Sequence, residues 1–311
     1  MKSVFERLLK HCVDVYSGKI GRNGMPYILH PLEVMNKVVS LPEKIVALAH
    51  DYGEFRDVSE LKTIGVQEVL LDKIKLLAKT FPDDVHEDDS RYCEYIWNLL
   101  ADPVCCEVKY ADLMVNNGYE DSPAGDGRRF TGLYPHAMAL LSDAVEGKLY
   151  FNSRTPYLDI FSNFHDEPLK IEGEIWKSGE HYYQTAKFAK NGLQEDEAIY
   201  RIIADAETPV TSKKLADEYL TEENKARSHQ ALRTFQAMAT MLNVKFAPGT
   251  LARKRLMQTG DLELVHLSGS DFFWGQNRKG TGNNLLGKAL MQMRDSIGDC
   301  SIMEMMSHVG V

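Results

Sequence analysis

Residues 178–188 carry side chains whose types and spacing could do chemistry. The spacing predicts a helix on which Glu180, Gln184 and Lys187 share one face, because residues three and four positions apart lie side by side. Ser178 is expected to cap the start of this helix, since its hydroxyl can accept a backbone N–H bond there. A carboxylate, an amide and an ammonium beside tyrosines favour a polar pocket. An amphipathic surface helix with a Glu–Lys pair has the same spacing and is a common alternative.

Two imidazoles and two carboxylates in the first half of the chain form a second candidate site. His30 starts one predicted helix, His50 and Asp51 lie inside another over residues 42–54, and Asp112 lies in a later apolar helix. Each has an ordinary explanation when taken alone, because a single histidine is most often a surface or satisfied residue. Together they suit a hard or borderline divalent ion such as Mn, Fe or Zn. Helices can direct such ligands to one point.

The composition limits the class of protein. The 311 residues are about two domains' worth, and 44% hydrophobic residues are ordinary for a globular protein. A net charge of −9 argues against a surface that coats nucleic acid or binds an anionic membrane, so we expect no membrane partner. Five cysteines without a CxxC pair indicate free thiols in a reducing compartment. No apolar run approaches ~18 residues, so we expect a cytoplasmic protein.

The hydrophobic spacing predicts two domains that meet near Gly147. Helical spacing runs through residues 1–147, and nothing there alternates like a strand, which predicts an all-α domain. In residues 148–311 we predict short strands at 149–151 and 169–175, followed mainly by helices. The second domain is therefore expected to be a mostly helical α+β domain.

The second half also resembles a known family. Residues 178–188 resemble the S-x-E-H-Y-x-Q-x-x-K-F helix of the NADAR (YbiA-like) N-glycosidase family. Other motifs of that family follow its order across roughly residues 149–297, at positions 161–164, 241–246, 259–265, 271–275 and 282–291. The resemblance implies cleavage of an N-glycosidic bond assisted by Glu180, through an oxocarbenium-like state and without a cofactor in this domain.

The same resemblance implies a set of substrate contacts. Lys187 would bind a phosphate, and Trp274 or Tyr182 would stack on a base, with core packing as the alternative for Trp274. Asp271 and Asn284 would orient the substrate. The remaining matched positions are the substrate-binding candidates Asn163, Phe164, His181, Gln184 and Gly275.

Three departures from the NADAR pattern leave the substrate open. His266 stands where the family often has a glutamate, Gln230 replaces a tryptophan, and Leu285 replaces an arginine. Riboflavin-pathway intermediates are one family substrate class, and ADP-ribose attached to guanine in nucleic acid is another.

The first half resembles the HD hydrolase domain of RelA/SpoT-type enzymes, and most of all the stand-alone alarmone hydrolases. Residues 26–31, 47–54 and 108–116 resemble the family's motifs PYxxHP, LLHDxxED and KxADxxxN, with His50, Asp51 and Glu54 at the His, Asp and Glu of the second. The resemblance covers roughly residues 1–120 and implies a nucleotide phosphohydrolase. It assigns Mn²⁺ to the ligands His30, His50, Asp51 and Asp112.

Further residues of the HD motifs are given roles by the same resemblance. Glu54 and Asn116 would position or activate the attacking water, and Arg22 lies where the family keeps basic residues near the nucleotide. Phe55 is a departure, because the family usually has a second acid there. Metal and Glu54 still offer an activated water and charge neutralisation of the phosphate.

These observations predict a bifunctional hydrolase of small-molecule nucleotides, with ADP-ribosylated nucleic acid as a further partner. Its first domain would be a metal-dependent phosphohydrolase of (p)ppGpp-like nucleotides and its second an N-glycosidase. One alternative keeps the N-glycosidase and reduces the HD domain to a scaffold, as Phe55 suggests. Another is a sensor that binds ADP-ribose or an alarmone without turnover.

Overall fold

The structure is a computed structural model that describes residues 1–21, 23–78, 90–118, 133–188, 194–220 and 230–296. The chain divides into two compact units, Met1–Lys148 with Gln258–Leu262 and Leu149–Met257 with Glu263–Val311. It is rich in helix, and its small sheets lie in the second half, as predicted. None of the helices in these ranges is both long and apolar enough to cross a membrane.

The described part of the first unit is built from α-helices around a buried central helix. The central helix is α3, whose residues from Ile45 to Ala49 are fully buried. It contacts four of the others, α1, α2, α4 and α6. Two 3-10 helices, Tyr52–Glu54 and Val58–Ile64, follow α3. The α-helices are α1 (Lys2–Tyr16), α2 (Leu29–Lys37), α3 (Leu41–Ala49), α4 (Glu68–Leu77), α5 (Ser90–Leu99), α6 (Pro103–Gly118) and α7 (Leu133–Val145).

The ends of α3 decide where two candidate ligands lie. Ser40 caps its start in a capping box, in which Ser40 and Glu43 each accept a backbone N–H of the other. The predicted helix over residues 42–54 is wrong in its second half, because α3 ends at Ala49 and His50 is its C-cap. The chain then turns through Asp51 into the first 3-10 helix. His50 and Asp51 therefore lie at a helix end and not on a helix face.

The second unit contains two small sheets and six α-helices within the described residues. Strand β1 pairs with β4, and β2 pairs with β3. A short 3-10 helix, Asp159–Phe161, follows β1. The elements are β1 (Lys148–Phe151), β2 (Leu169–Ile171), β3 (Glu174–Trp176), α8 (Gly179–Ala186), α9 (Gln194–Ala204), α10 (Pro209–Tyr219), α11 (Gln230–Lys245), α12 (Leu251–Gln258), β4 (Glu263–His266) and α13 (Leu285–Asp295).

The predicted single strand over residues 169–175 is a hairpin. Its strands pair antiparallel with Ile171 opposite Glu174, so only Glu172 and Gly173 form the turn. Both have positive φ angles, 53° and 89°. Two-residue turns with positive φ angles are favoured in hairpins, because their twist matches the right-handed twist of the two strands. The alternation of apolar and polar residues continues through such a turn, so the spacing alone did not reveal it.

Helix α8 is the centre of the second unit. Its residues from Gly179 to Thr185 are all buried, and it packs against α9, α10 and α11. Gly179 permits the close approach of α11, because a Cβ there would lie 2.9 Å from the Met241 sulfur. The surface-helix alternative is therefore wrong, since every face of α8 is covered.

We expect Ser40→Ala to lower the free energy of unfolding by about 1 kcal/mol, because the substitution leaves a backbone N–H at the start of α3 without its cap. Urea unfolding followed by circular dichroism measures this loss. Ser17→Ala, at an exposed serine following α1, is the control and should leave the unfolding curve unchanged. Equal stability of the two variants would contradict the role given to the capping box.

Candidate functional site

The start of α8 is anchored by two different segments. Ser178 is its N-cap, as predicted, and its hydroxyl lies 2.8 Å from His181 Nδ1. The Glu180 N–H donates to the Asn163 carbonyl at 2.9 Å. The first turn therefore carries Glu180 into a defined place beside the segment that contains Asn163.

Glu180 is a buried carboxylate, with only 3% of its surface exposed. The Gln184 amide donates to Glu180 Oε1 at 2.6 Å. Burial raises the pKa of Glu180 above its usual range, against the opposing effects of Gln184, Lys187, Lys213 and Asn163. A carboxyl group with a raised pKa can exist in both protonation states closer to neutral pH, which suits acid–base chemistry.

The cation predicted beside Glu180 is present, and a second one joins it. Lys187 is the C-cap of α8, and its Nζ lies 5.0 Å from the centre of the Tyr183 ring. Burial lowers the pKa of Lys187, while the charge of Glu180 opposes that shift. Lys213 of α10 also acts on Glu180 and Lys187, and it pairs with Asp217 at 3.1 Å. Sequence reasoning missed Lys213, because a Lys–Asp pair four residues apart is common on exposed helices.

Tyr183 is the tyrosine of α8 that contacts Trp274. The Trp274 indole N–H donates to the Tyr183 hydroxyl at 2.7 Å, and Trp274 is 5% exposed. Tyr182 packs edge-on against Trp176, with ring centres 5.3 Å apart. Tyr182 and Glu180 are two positions apart on α8, about 200° around the helix, so their side chains leave the helix in different directions. Stacking of Tyr182 on a base stays a prediction.

The loop before α13 uses several predicted substrate contacts for its own structure. Asp271 Oδ1 accepts the N–H groups of Phe273 and Trp274 at 3.1 and 3.0 Å. At Gly275 a Cβ would lie 2.8 Å from the His266 carbonyl oxygen, so this position needs glycine for packing. These contacts hold Trp274 against α8, and the contact of Gly275 with substrate stays a prediction.

Two further substrate candidates have their polar atoms occupied within the protein. Asn284 has a left-handed backbone at φ 50°, accepts the His266 N–H at 2.9 Å and donates to the Leu264 carbonyl at 2.8 Å. The two ring nitrogens of His181 lie 2.8 Å from Ser178 Oγ and 3.1 Å from the Ala206 carbonyl. Both side chains are buried and take part in structural hydrogen bonds, and their contacts with substrate stay predictions.

The remaining predicted contact residues lie next to Glu180 or in the unit's core. Asn163 is buried, its Nδ2 lies 3.6 Å from the Met238 sulfur, and its side chain also affects the pKa of Glu180. Phe164 is half-buried, and its N–H donates to Ser162 Oγ at 3.2 Å. Asn163 therefore belongs to the Glu180 site on geometric grounds.

The departures from the family motif have different environments. His266 stacks on Phe151 with ring centres 5.4 Å apart, and burial lowers its pKa. Leu285 is fully buried at the start of α13. Neither position adds a charge beside Glu180.

In the first unit, the four predicted metal ligands come together. His30 Nε2 lies 3.3 Å from His50 Nε2, 3.2 Å from Asp112 Oδ1 and 3.5 Å from Asp51 Oδ2. His50 Nε2 lies 3.2 Å from Asp51 Oδ2 and 3.6 Å from Asp112 Oδ1. Ligands about 2.1 Å from one ion are spaced by about 3–3.5 Å, so this donor set fits a divalent metal.

Neighbouring groups orient these ligands. His50 Nδ1 lies 2.7 Å from the Ala47 carbonyl, which fixes the ring so that Nε2 faces the other three donor atoms. Asp112 accepts from Lys109 at 2.8 Å and from Asn116 at 2.6 Å. The Tyr27 hydroxyl donates to Asp51 at 2.7 Å. Asn116 therefore contacts a ligand directly, as a residue that positions the site would.

The charges of this cluster also favour a cation. Burial lowers the pKa of His50, but Asp51 and Asp112 outweigh it and raise the pKa to about 10. Burial raises the pKa of Asp112, yet Lys109 and the two histidines bring it well below its usual range. The raised pKa of His50 means that the two carboxylates stabilise positive charge at this place, and a divalent ion would take the place of the proton on Nε2.

The other described residues predicted for the HD site are more exposed to solvent than His50 and Asp112. Glu54 is exposed at the end of its 3-10 helix. Phe55 packs edge-on against Tyr27, with ring centres 5.0 Å apart, and Lys19 Nζ lies 4.4 Å from the centre of its ring. Arg22 lies outside the described residues.

A cavity of about 460 Å³ opens between α2 and α6, the helices that carry His30 and Asp112. Its lining is part polar and part apolar, with Glu33, Asn36, Lys37, Met114, Val115 and Gly118.

The second half of the chain matches a family model and several curated proteins. The NADAR domain model matches residues 150–298. An N-glycosidase of Nostoc punctiforme is 34% identical over 149 residues, which are 48% of this chain and 92% of that protein. The N-glycosidase YbiA of Escherichia coli is 28% identical over 48% of this chain and 86% of its own length.

Two other comparisons match the same region. A riboflavin biosynthesis protein of Vibrio vulnificus is 31% identical over a region that makes up 50% of this chain and 40% of that protein. The NMR structure of Escherichia coli YbiA is 26% identical, with a TM-score of 0.38, over 47% of this chain and 82% of that one. The predicted resemblance of residues 149–297 is thereby confirmed, and through this region the chain belongs to the NADAR family.

Proposed function

We propose that the second unit hydrolyses the N-glycosidic bond between a ribose and a base, with Glu180 as the catalytic residue. The observation that carries the proposal is the buried Glu180 carboxylate, which Gln184 and Asn163 hold beside the cations Lys187 and Lys213. The N-glycosidase names of the Nostoc and Escherichia relatives support this reaction class.

In the proposed reaction the bond between ribose C1′ and the base nitrogen breaks, and the base leaves with the electron pair. Positive charge develops on the ribose, and the Glu180 carboxylate stabilises it or accepts a proton from the attacking water. The water oxygen bonds to C1′, and its proton is finally carried by the released base. Gln184 holds the carboxylate in one orientation throughout, which limits the reorganisation that the reaction needs.

We further propose that the substrate carries phosphate. Lys187 and Lys213 place two positive charges near Glu180, and a phosphate would offset their mutual repulsion. Riboflavin-pathway pyrimidines and ADP-ribosyl-guanine are the two substrate classes that we consider. The name of the Vibrio relative favours the first.

We propose a second activity for the first unit, a phosphohydrolase of (p)ppGpp-like nucleotides. The cluster of His30, His50, Asp51 and Asp112 supports it, because its donor types and spacing fit a divalent ion such as Mn²⁺. A bound ion would supply an activated water and a positive charge for the phosphate. Lys109 and Asn116 hold Asp112, and Tyr27 holds Asp51.

Glu180→Gln should abolish base release while the protein still folds, because it keeps shape and hydrogen bonding but removes the charge. We expect a fall of about 10²–10⁴-fold in kcat. The assay follows free base from ADP-ribosyl-guanosine and from riboflavin-pathway pyrimidines, with a chelator present to silence the first unit. Glu197→Gln, at an exposed glutamate of α9, is the control. Wild-type rates in Glu180→Gln would remove Glu180 from the mechanism, and no release by the wild type would favour the sensor alternative.

Glu180→Gln should also raise stability at neutral pH. The folded protein raises the pKa of Glu180, so the contribution of this residue to stability is fully present below about pH 4.3 and is lost as the pH rises through the folded pKa. Glutamine does not titrate, so the variant does not lose this stability as the pH rises. Urea unfolding at pH 4 and pH 8 should show a gain for the variant only at the higher pH. An equal difference at both pH values would show that burial of the charge is not the cause.

The first unit should bind about one equivalent of Mn²⁺, and His50→Ala should lose it, because the substitution removes a donor from the centre of the cluster. Elemental analysis after dialysis against Mn²⁺ measures the content. Glu54→Ala is the matched control, which should keep the metal and lose release of phosphate from an alarmone. Full metal retention by His50→Ala would refute the ligand set, and full hydrolysis by Glu54→Ala would refute the role of Glu54.

A further inference from the structure

The second unit contains a lysine that the proposed reaction does not use. Lys245 is the last residue of α11, and only 2% of its surface is exposed. Its Nζ donates to the Ser162 carbonyl at 2.6 Å, across 83 residues of sequence. A buried ammonium is costly unless it is hydrogen-bonded, so the bond to the Ser162 carbonyl stabilises the charge of Lys245. Helix α11 cannot provide this bond by itself, because Ser162 lies in a different segment.

The carbonyl that Lys245 holds belongs to the peptide just before Asn163. On the other side of that residue, the Asn163 carbonyl accepts the Glu180 N–H at 2.9 Å. Asn163 is therefore held at both flanking peptides, by α11 through Lys245 and by the first turn of α8. The same Asn163 carbonyl fixes the first turn of α8, which carries the Glu180 side chain.

The neighbours of Lys245 support a defined position for its ammonium. Thr250 Oγ1 donates to the Lys245 carbonyl at 2.9 Å, which ties down the end of α11. The Phe246 ring lies 6.2 Å from Phe161, between centres, so the two segments also pack together. The negative groups that act on the ammonium are Glu167 and Asp159, and burial lowers its pKa to about 8.

We propose that Lys245 is a positioning residue for the glycosidase site: it fixes the Ser162–Asn163 segment, to which the first turn of α8 is bonded through the Glu180 N–H. This inference rests on the proposed function of Glu180. Lys245 does not touch the substrate in this account; it acts through the Ser162–Asn163 peptide. A lysine whose contact only stabilised the fold would leave the protonation of Glu180 unchanged when replaced.

The test measures the pKa of Glu180 directly in the full-length protein. Side-chain carboxyl carbons labelled with ¹³C are followed by NMR through a pH titration, and Glu180→Gln identifies the Glu180 signal. Lys245→Met keeps the length of the side chain and removes the donor. We expect it to raise the Glu180 pKa further, because Asn163, which lowers it, is no longer held. In the base-release assay kcat should fall on the order of 10–10²-fold, with KM changed much less.

Thr250→Val is the matched control. It removes a hydrogen bond to the same end of α11 but leaves the ammonium and the Ser162 carbonyl in contact. We expect a loss of stability with an unchanged Glu180 pKa and unchanged kcat. If Lys245→Met does not fold, Lys245→Gln replaces it, because its amide is too short to hold the same carbonyl and should produce the same shift.

The NMR titration needs no substrate, so its result is separate from the proposed reaction. A folded Lys245 variant with the wild-type Glu180 pKa would overturn the positioning role, even if base release is confirmed. Absence of base release in the wild type would contradict the proposed function, while an upward shift of the Glu180 pKa would still support the contact from Lys245 through Asn163.

Discussion

The second unit depends on keeping one carboxylate out of water. Glu180 is buried on a helix whose every face is covered, and burial of a charge is costly unless other groups compensate it. Gln184 donates to the carboxylate from the next turn of α8, and Asn163 approaches from a separate segment. The cations Lys187 and Lys213 add favourable charge. The balance leaves the pKa of Glu180 raised, because the effect of burial exceeds that of these favourable contacts.

The loops and helices around α8 are held in place by specific hydrogen bonds. The Asp271 turn holds Trp274, whose indole N–H bonds to Tyr183, while Asn284 ties the start of α13 to β4. Several residues that the family motif singled out therefore hold the scaffold through their own hydrogen bonds. A sequence motif preserves positions that the fold needs as well as positions that the reaction needs, and only the contacts separate the two kinds.

Much of the site could be predicted from spacing, and the rest depends on tertiary contacts. The three- and four-residue steps correctly placed Glu180 and Gln184 side by side with Ser178 as the cap. Spacing could not choose between the adjacent Tyr182 and Tyr183, because the partners Trp176 and Trp274 are distant in sequence. The occupied ring nitrogens of His181 and the left-handed Asn284 depend equally on distant backbone groups. In the first unit the helix over residues 42–54 was predicted too long, since its composition does not mark the turn after Ala49.

The central claim is hydrolysis of a C1′–N bond at Glu180, and the fate of the water oxygen tests it most directly. Wild-type protein is incubated with a ribosylated base in H₂¹⁸O, and both products are examined by mass spectrometry after a single turnover, with Glu180→Gln as the blank. We expect one ¹⁸O atom in the ribosyl product and none in the base. Label in the base, or the same labelling with Glu180→Gln, would contradict it.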